Sequence, residues 1–211
     1  MNKTVKIFVN MTVPEAVGHD GKTGSMVRLT EIFKRFGKFN EHITVIYNVT
    51  ECIENYFKNN GLEGEYRILK PNLQFKNKFD LCLKTAYLII KSFLVFPAPK
   101  VEKANDKVVV YASSDLFWEV VPALAYKLKN RKTEWVQIIH HIYPGWKKRA
   151  GNRAINFFGF YLQKFSFFLI KRKADKVIVL NSLIRRELIQ RGFKAEKIYL
   201  NSNGIDVDQL D

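Results

Sequence analysis

The sequence predicts an α/β protein with a doubly wound, mostly parallel sheet of about seven strands and helices on both faces. Short runs rich in Val and Ile alternate along the 211 residues with longer segments of helical periodicity. Most of the short runs are apolar on both faces, as in strands buried within a parallel sheet. The composition is 47% hydrophobic, which provides a core, and the length fits one domain over residues 1–211.

Seven segments have the length and composition of strands. They are Lys6–Met11, His42–Asn48, Glu65–Leu69, Lys107–Ala112, Trp135–His140, Lys176–Leu180 and Lys197–Leu200. Six segments have helical character. They are Ser25–Phe36, Glu51–Asn59, Phe79–Phe96, Leu116–Lys129, Asn152–Lys173 and Ser182–Gln190. Ser182 is the expected N-cap of the last helix, and Gly192 is the glycine expected after its end.

Ligands of such sheets bind beyond the carboxyl ends of the strands, so the loops there are the places to look for a site. His140 and His141 lie where the fifth strand ends, and we expect at least one of them to contact ligand. A metal site is not expected, because no nearby Cys, Asp or Glu completes a set of ligands.

The loop before the first helix contains Gly21-Lys22-Thr23, part of a phosphate-binding pattern. A P-loop also requires a glycine five residues before Gly21, and this position is Ala16. P-loop-like nucleotide binding is therefore the weaker alternative. Gly21, Gly24 and the helix N-terminus would still accept an anionic group, unless the segment is a plain flexible turn.

The net charge of +15 indicates a polyanionic partner: nucleic acid, an anionic membrane or a phosphorylated substrate. No Asp or Glu occurs from Trp135 to Ala174, whereas eight basic residues do. These are Lys147, Lys148, Arg149, Arg153, Lys164, Lys171, Arg172 and Lys173. No RNA-binding aromatic pattern, zinc-finger spacing or basic recognition helix supports nucleic acid as the partner.

The 152–173 helix favours the membrane among these partners. Its periodicity assigns a broad apolar arc to the core, formed by Phe157, Phe158, Tyr161, Leu162, Phe165, Phe168 and Leu169. A separate stripe of aromatic and basic residues suits a membrane interface and consists of Phe160, Lys164, Phe167 and Lys171, with Arg153 nearby. The alternative is a solvated basic face with two phenylalanines packed on a neighbouring loop.

Two further features concern location. Cys52 and Cys82 are too few for a disulfide framework and are typical of a reduced cytosolic protein. No uncharged apolar run of 18 residues is present to span a bilayer. The expected location is therefore the cytoplasm, peripheral at the inner face of the membrane.

The last forty residues resemble a known family. The stretch "ADKVIVLNSLIRRELIQRGFKAEKIYLNSNGID" is similar to the end of the N-terminal domain in retaining GT-B glycosyltransferases of the glycogen-synthase-like and mannosyltransferase-like group. The matching residues are Ala174, Asp175, Val177, Ile178, Ser182, Gly192, Lys197, Ile198, Asn203, Gly204, Ile205 and Asp206. "VQIIHHIYP" is similar to the family's strand that ends in histidine, and "DGKTGSMVRLTEIF" resembles its glycine-rich loop, with Thr23-Gly24 in place of the usual Gly-Gly pair.

The resemblance implies one Rossmann-like half of a GT-B fold, the half that binds the acceptor. It implies transfer of a sugar from a nucleotide-sugar donor, with retention. The basic and aromatic 152–173 helix suits an acceptor that is lipid-linked or located at a membrane. The donor is a substrate of the complete enzyme, and no cofactor is expected in this chain. A C-terminal GT-B domain, on the same or a separate chain, is the expected partner, because no two glutamates here have the eight-residue spacing of the family's Glu-x₇-Glu motif.

The resemblance also assigns roles to residues. His140 would line the donor sugar and stabilise charge at the reacting carbon. Gly21, Thr23, Gly24 and Ser25 would face diphosphate or acceptor, and an acceptor phosphate would be held by Lys147, Lys148 and Arg149. The alternative is a non-catalytic subunit that recruits a split glycosyltransferase to the membrane.

Overall fold

A computed structural model describes residues 4–12, 24–39, 43–69 and 106–202, with single helical positions at 83, 86, 87, 89–91 and 94. Its centre is a sheet of seven parallel strands in the order β3-β2-β1-β4-β5-β6-β7. The strands are β1 (Val5–Met11), β2 (Ile43–Thr50), β3 (Glu65–Leu69), β4 (Lys107–Ala112), β5 (Glu134–Ile139), β6 (Lys176–Val179) and β7 (Ile198–Leu200). The predicted doubly wound α/β fold is confirmed.

Five helices connect the strands in the described ranges. They are α1 (Gly24–Phe39), α2 (Glu51–Asn59), α3 (Phe117–Lys129), α4 (Arg153–Lys173) and α5 (Ser182–Gln190). Short 3-10 turns cover Trp146–Lys148 and Ala195–Lys197. Most of the predicted helix Phe79–Phe96 lies outside the described residues, and its described positions are helical.

The N-cap of the last helix lies one residue before the predicted one. Asn181, in extended backbone conformation, is the N-cap, and its Oδ1 accepts a hydrogen bond of 2.8 Å from the Ile184 amide. Ser182 is therefore the first helical residue, and its prediction as the cap is wrong. Gly192 follows the helix with φ of 82°, as predicted, because this left-handed conformation favours glycine.

Two apolar layers cover the two faces of the sheet. One packs β-strand residues such as Val110 and Trp135 against α3, α4 and α5. The other packs residues such as Val9 and Tyr111 against α1 and α2. Successive residues of β4 alternate between these layers, as the period of a strand buried on both faces requires.

Helix α4 has the opposite orientation to the one predicted from its hydrophobic periodicity. Phe167, expected on the membrane stripe, is buried with 6% of its surface exposed. Except for the half-buried Leu169, the predicted core arc is exposed. Together with Ile155 it forms a surface that we call the apolar face of α4: Ile155, Phe157, Phe158, Tyr161, Leu162, Phe165 and Phe168, each 39% to 62% exposed.

Polar contacts explain this orientation. The side of α4 that faces the protein carries Asn156 and Gln163, both buried and both hydrogen-bonded to loops. A periodicity that counts only apolar side chains assigns such polar positions to solvent, and here they are the inner side. Within the described part of the chain, no helix combines the length and apolar character needed to cross a bilayer.

Candidate active site

The candidate site lies where β1, β4 and β5 end, because parallel strands place their carboxyl ends at one edge of the sheet. Thr12 follows β1, the segment Ser113-Ser114-Asp115 follows β4, and His140-His141 follows β5. This edge therefore collects the polar residues that follow three neighbouring strands.

His140 is half-buried and tethered to the loop after β4. Its Nε2 lies 2.7 Å from the carbonyl oxygen of Ser113. A carbonyl oxygen only accepts, so Nε2 carries the proton and donates. Burial lowers the pKa of His140, and this outweighs the Ser113 hydrogen bond and the Asp115 charge, which raise it; the Arg28 charge lowers it further. The ring is therefore neutral at pH 7, with a lone pair on Nδ1.

Gln163 reaches this edge from α4 and joins two of its loops. The Nε2 atom donates to Asp115 Oδ2 at 2.7 Å and to the His141 carbonyl at 3.0 Å. The Oε1 atom accepts from the Tyr143 amide at 2.8 Å. Burial raises the pKa of the Asp115 carboxyl, and the bond from Gln163 opposes this rise. Gln163 therefore fixes the loop after β4 relative to the loop that carries both histidines.

Glu119, in the first turn of α3, is hydrogen-bonded to the Ser113-Ser114 segment. Its Oε2 accepts from Ser113 Oγ at 2.6 Å and from the Ser114 amide at 2.7 Å. The side chain is fully buried, and this burial raises the pKa of Glu119 to about 7 although hydrogen bonds from Ser113, Ser114 and the Thr12 backbone oppose the rise. Since the Ser113 carbonyl accepts from His140, Glu119 is placed to position His140 indirectly.

Arg28 brings a positive charge to the same edge from α1. Its guanidinium is buried, and Nη2 donates to the Asn201 carbonyl, just after β7, at 2.9 Å. The side chain also interacts with Tyr111 of β4 and lowers the pKa of His140 through its charge. Arg28 therefore contributes to a positive potential close to His140, which suits an anionic ligand.

The residues predicted for substrate binding fall into three groups. Gly21 and Thr23 lie outside the described residues, whereas Gly24 and Ser25 begin α1. In the loop after β5, His141 and Arg149 both contact the Tyr143 ring. The centroid of this ring lies 4.8 Å from the centroid of the His141 ring and 4.2 Å from the Arg149 guanidinium carbon. The 3-10 turn in this loop exposes Lys147 and Lys148.

Several residues of this edge were not predicted from the sequence, among them Arg28, Asp115, Glu119 and Gln163. A signal for two of them is present in "ASSDLFWE", in which two carboxylates follow a buried strand at the edge where ligands bind. Arg28 and Gln163 lie in helices and have no comparable signal. Within the described ranges, no three His, Cys, Asp or Glu side chains are grouped so that they could hold a metal ion.

The fold is shared with nucleotide-sugar enzymes of known structure. HepE of Anabaena, in complex with UDP and glucose, matches 97% of this chain and 46% of its own length, with a TM-score of 0.55 and 16% identity. The lipopolysaccharide outer core galactosyltransferase WaaB matches 98% of this chain and 47% of its own, with a TM-score of 0.54 and 13% identity. A putative UDP-N-acetylglucosamine 2-epimerase from Listeria monocytogenes matches 96% and 46%, with a TM-score of 0.56 and 13% identity.

These likenesses establish the fold, which is one half of a GT-B glycosyltransferase-like structure. The chain spans less than half the length of these solved structures. A search of curated protein sequences finds no match. The sequence profile described as Glycosyltransferase Family 4 matches residues 93–209, more than half of the chain. On this match, the chain belongs to glycosyltransferase family 4.

Proposed function

We propose that this chain forms one wall of the active-site cleft of a retaining glycosyltransferase. The enzyme transfers a sugar from a nucleotide-sugar donor to an acceptor that is lipid-linked or located at a membrane. The observation that carries this proposal is the neutral, tethered His140 at the carboxyl edge of the sheet, next to the positive charge of Arg28. The UDP and glucose named for HepE support the class of donor.

The state of His140 suits the proposed chemistry. In glycosyl transfer the bond from the anomeric carbon to the diphosphate breaks, and positive charge develops on the sugar ring. A protonated imidazole would oppose this charge, whereas the Nδ1 lone pair of a neutral ring accepts from a sugar hydroxyl or stabilises the charge. Because Nε2 is committed to the Ser113 carbonyl, the ring is held in the tautomer that leaves Nδ1 available.

The leaving diphosphate would be balanced by positive potential from α1. Helix N-termini attract anions through their unpaired amide groups, and α1 begins at Gly24 and Ser25. Arg28 lies one turn further along the same helix. The family resemblance assigns Gly21 and Thr23 to the same role.

The acceptor would approach along the loop after His141. Lys147 and Lys148 are exposed there, and Arg149 stacks on Tyr143, so three cations are available to a phosphate of a polyprenyl or phospholipid acceptor. WaaB, by its name, acts on the lipopolysaccharide outer core, which is an acceptor of the lipid-linked class.

The donor's own binding groups belong to a second domain in this proposal, because catalysis needs groups from both walls of a cleft. That C-terminal GT-B domain is carried on the same or a separate polypeptide. The whole enzyme then works in the cytoplasm, peripheral at the inner face of the membrane. The alternative is a non-catalytic subunit that recruits its partner to the membrane, and the exposed apolar face of α4 is the observation that favours it.

The proposal is tested by incubating the enzyme that contains both halves with radiolabelled nucleotide sugars and a membrane lipid extract. We expect label in the lipid fraction, with the anomeric configuration of the donor kept in the product as seen by NMR. Products of inverted configuration would refute retention. Absence of label with every donor, despite folded protein, would favour the non-catalytic subunit.

A further inference from the structure

The apolar face of α4 and the 3-10 turn before it form a continuous exposed surface. Aromatic rings along it contact one another, with centroid distances of 5.4 Å for Trp146 to Phe157 and 4.6 Å for Phe157 to Tyr161. Phe165 stacks on Phe168 with an interplanar angle of 14°. Single exposed apolar residues are ordinary, but a continuous patch of this kind marks an interaction surface.

Basic residues lie over the rings of this surface. The Arg172 guanidinium carbon is 4.1 Å from the Phe168 ring centroid, and Lys164 Nζ is 5.5 Å from that of Tyr161. Lys147 Nζ lies 5.3 Å from the Trp146 ring. No Asp or Glu occurs between Trp135 and Ala174 to neutralise these charges. The segment that forms this surface therefore combines exposed rings with cations and carries no acidic residue of its own.

We propose that this surface docks on an anionic phospholipid bilayer, with the aromatic rings inserted at the interface and the cations at the lipid headgroups. Long basic side chains lie along apolar surface while their charges remain at headgroup level, and this is the arrangement found here. A second copy of the chain is a poor occupant, because it would bring the same positive charges to the interface. The proposal uses no step of sugar transfer and holds whether or not the chain is catalytic.

The exposure of this face is fixed by hydrogen bonds on the opposite side of the helix. Asn156 Nδ2 donates to the Arg149 and Ala150 carbonyls at 3.2 Å and 3.1 Å, and Gln163 makes its three bonds to the candidate site. A rotation of α4 that buried its rings would leave these polar groups unpaired. Among the described residues nothing covers the rings, which are therefore available to a partner.

Vesicle co-sedimentation of the full chain tests the proposal. One set of vesicles is pure phosphatidylcholine and the other has half of it replaced by phosphatidylglycerol. Lys164→Glu with Arg172→Glu tests the charges, and Phe158→Ser with Phe165→Ser tests the rings. Lys132→Glu with Lys194→Glu is the control for net charge, and Leu128→Ser with Leu183→Ser is the control for exposed apolar residues on other helices.

We expect the chain to bind the anionic vesicles much more tightly than the neutral ones. Each cation near an anionic surface is worth roughly a fivefold gain in affinity, so the Lys164 and Arg172 pair should weaken binding at least about 25-fold at low salt. Its effect should shrink at high salt, where charges are screened. The Phe158 and Phe165 pair should abolish the binding that survives high salt, and neither control pair should do so.

Three results would overturn the proposal. The first is an absence of binding to either vesicle set by the folded chain. The second is equal loss in test and control pairs, which would show that overall charge or apolarity is responsible. The third is a dimer in analytical ultracentrifugation that the Phe158 and Phe165 pair dissolves, since the occupant would then be a second copy. Circular dichroism and urea midpoints close to the parent's verify that each variant is folded.

Discussion

The free energy of unfolding of this protein should depend on pH through one buried carboxyl group, that of Glu119. Burial raises the pKa of Glu119 from 4.5 to about 7, and no cation among the described residues compensates for its charge. Below pH 4.5 the group is protonated in the folded and the unfolded chain alike. Between pH 4.5 and 7 the unfolded chain has lost the proton while the folded one keeps it, so the free energy of unfolding falls as pH rises.

The size of this effect follows from the pKa difference. Each pKa unit corresponds to about 1.4 kcal/mol, so the rise from 4.5 to about 7 removes about 3 kcal/mol in total. Most of this loss, roughly 2 to 3 kcal/mol, falls between pH 5 and pH 8. Glu119→Gln keeps the size of the side chain and cannot titrate. Between pH 5 and pH 8 the parent should therefore lose roughly 2 to 3 kcal/mol of unfolding free energy that the variant keeps. This difference in pH dependence does not depend on how strong the hydrogen bonds of the glutamine are.

Urea unfolding at several pH values, followed by circular dichroism, measures the difference between the two proteins. Glu196→Gln, which removes an exposed carboxylate, is the matched control for the loss of one charge. Parallel stability curves for Glu119→Gln and the parent would refute the reasoning. They would mean that the Ser113 and Ser114 hydrogen bonds outweigh burial and that Glu119 is ionised throughout.

Three other predictions concern packing and binding. Gln163→Leu leaves the buried Asp115 carboxyl without its side-chain donor and should cost about 2 to 4 kcal/mol in urea unfolding, and a loss below about 1 kcal/mol would show the network to be dispensable. Gly64→Ala places a Cβ 2.7 Å from the Tyr47 ring and should cost more than about 2 kcal/mol, whereas Gly61→Ala, at φ of 73° with open space, should cost about 1 kcal/mol. Equal costs would mean that both the Tyr47 ring and the Val45 carbonyl, 2.9 Å from the added Cβ, move aside. Calorimetry of this chain with a panel of nucleotide sugars should find weak affinity at most, and micromolar binding would contradict a donor site in the second domain.

The sequence was sufficient to predict the strands of the sheet and the five helices that connect them in the described ranges. All seven predicted strands are present, within one or two residues of their expected ends. A short run that is apolar on both faces is typical of a strand in a parallel sheet that is covered by helices on both sides. The predicted position of His140 at the end of β5 is also correct. The loops that meet at the edge of the sheet are the ones that follow the strand ends. The position of His140 in the site therefore follows from the fold.

The network around His140 and the orientation of α4 could not be predicted in this way. Asp115 and Gln163 are 48 positions apart, and nothing local in either segment indicates that each will satisfy the other's buried polar group. Without that bond, the polar side of α4 is expected in solvent and its aromatic side in the core. Periodicity also assumes that the core is the only apolar environment available, and this fails for a helix whose rings are exposed.

The central claim, that this edge performs glycosyl transfer through His140, is tested most directly by turnover of His140→Ala in the enzyme that contains both halves. Removal of one hydrogen-bonding group aimed at developing charge in a closed site typically costs about a hundredfold or more in turnover. We predict a loss of that size with the folded structure retained. His141→Ala, which removes an exposed ring outside the Ser113 tether, should lose much less. Unaltered turnover in a folded His140→Ala enzyme would contradict the account and leave His140 as a packing residue.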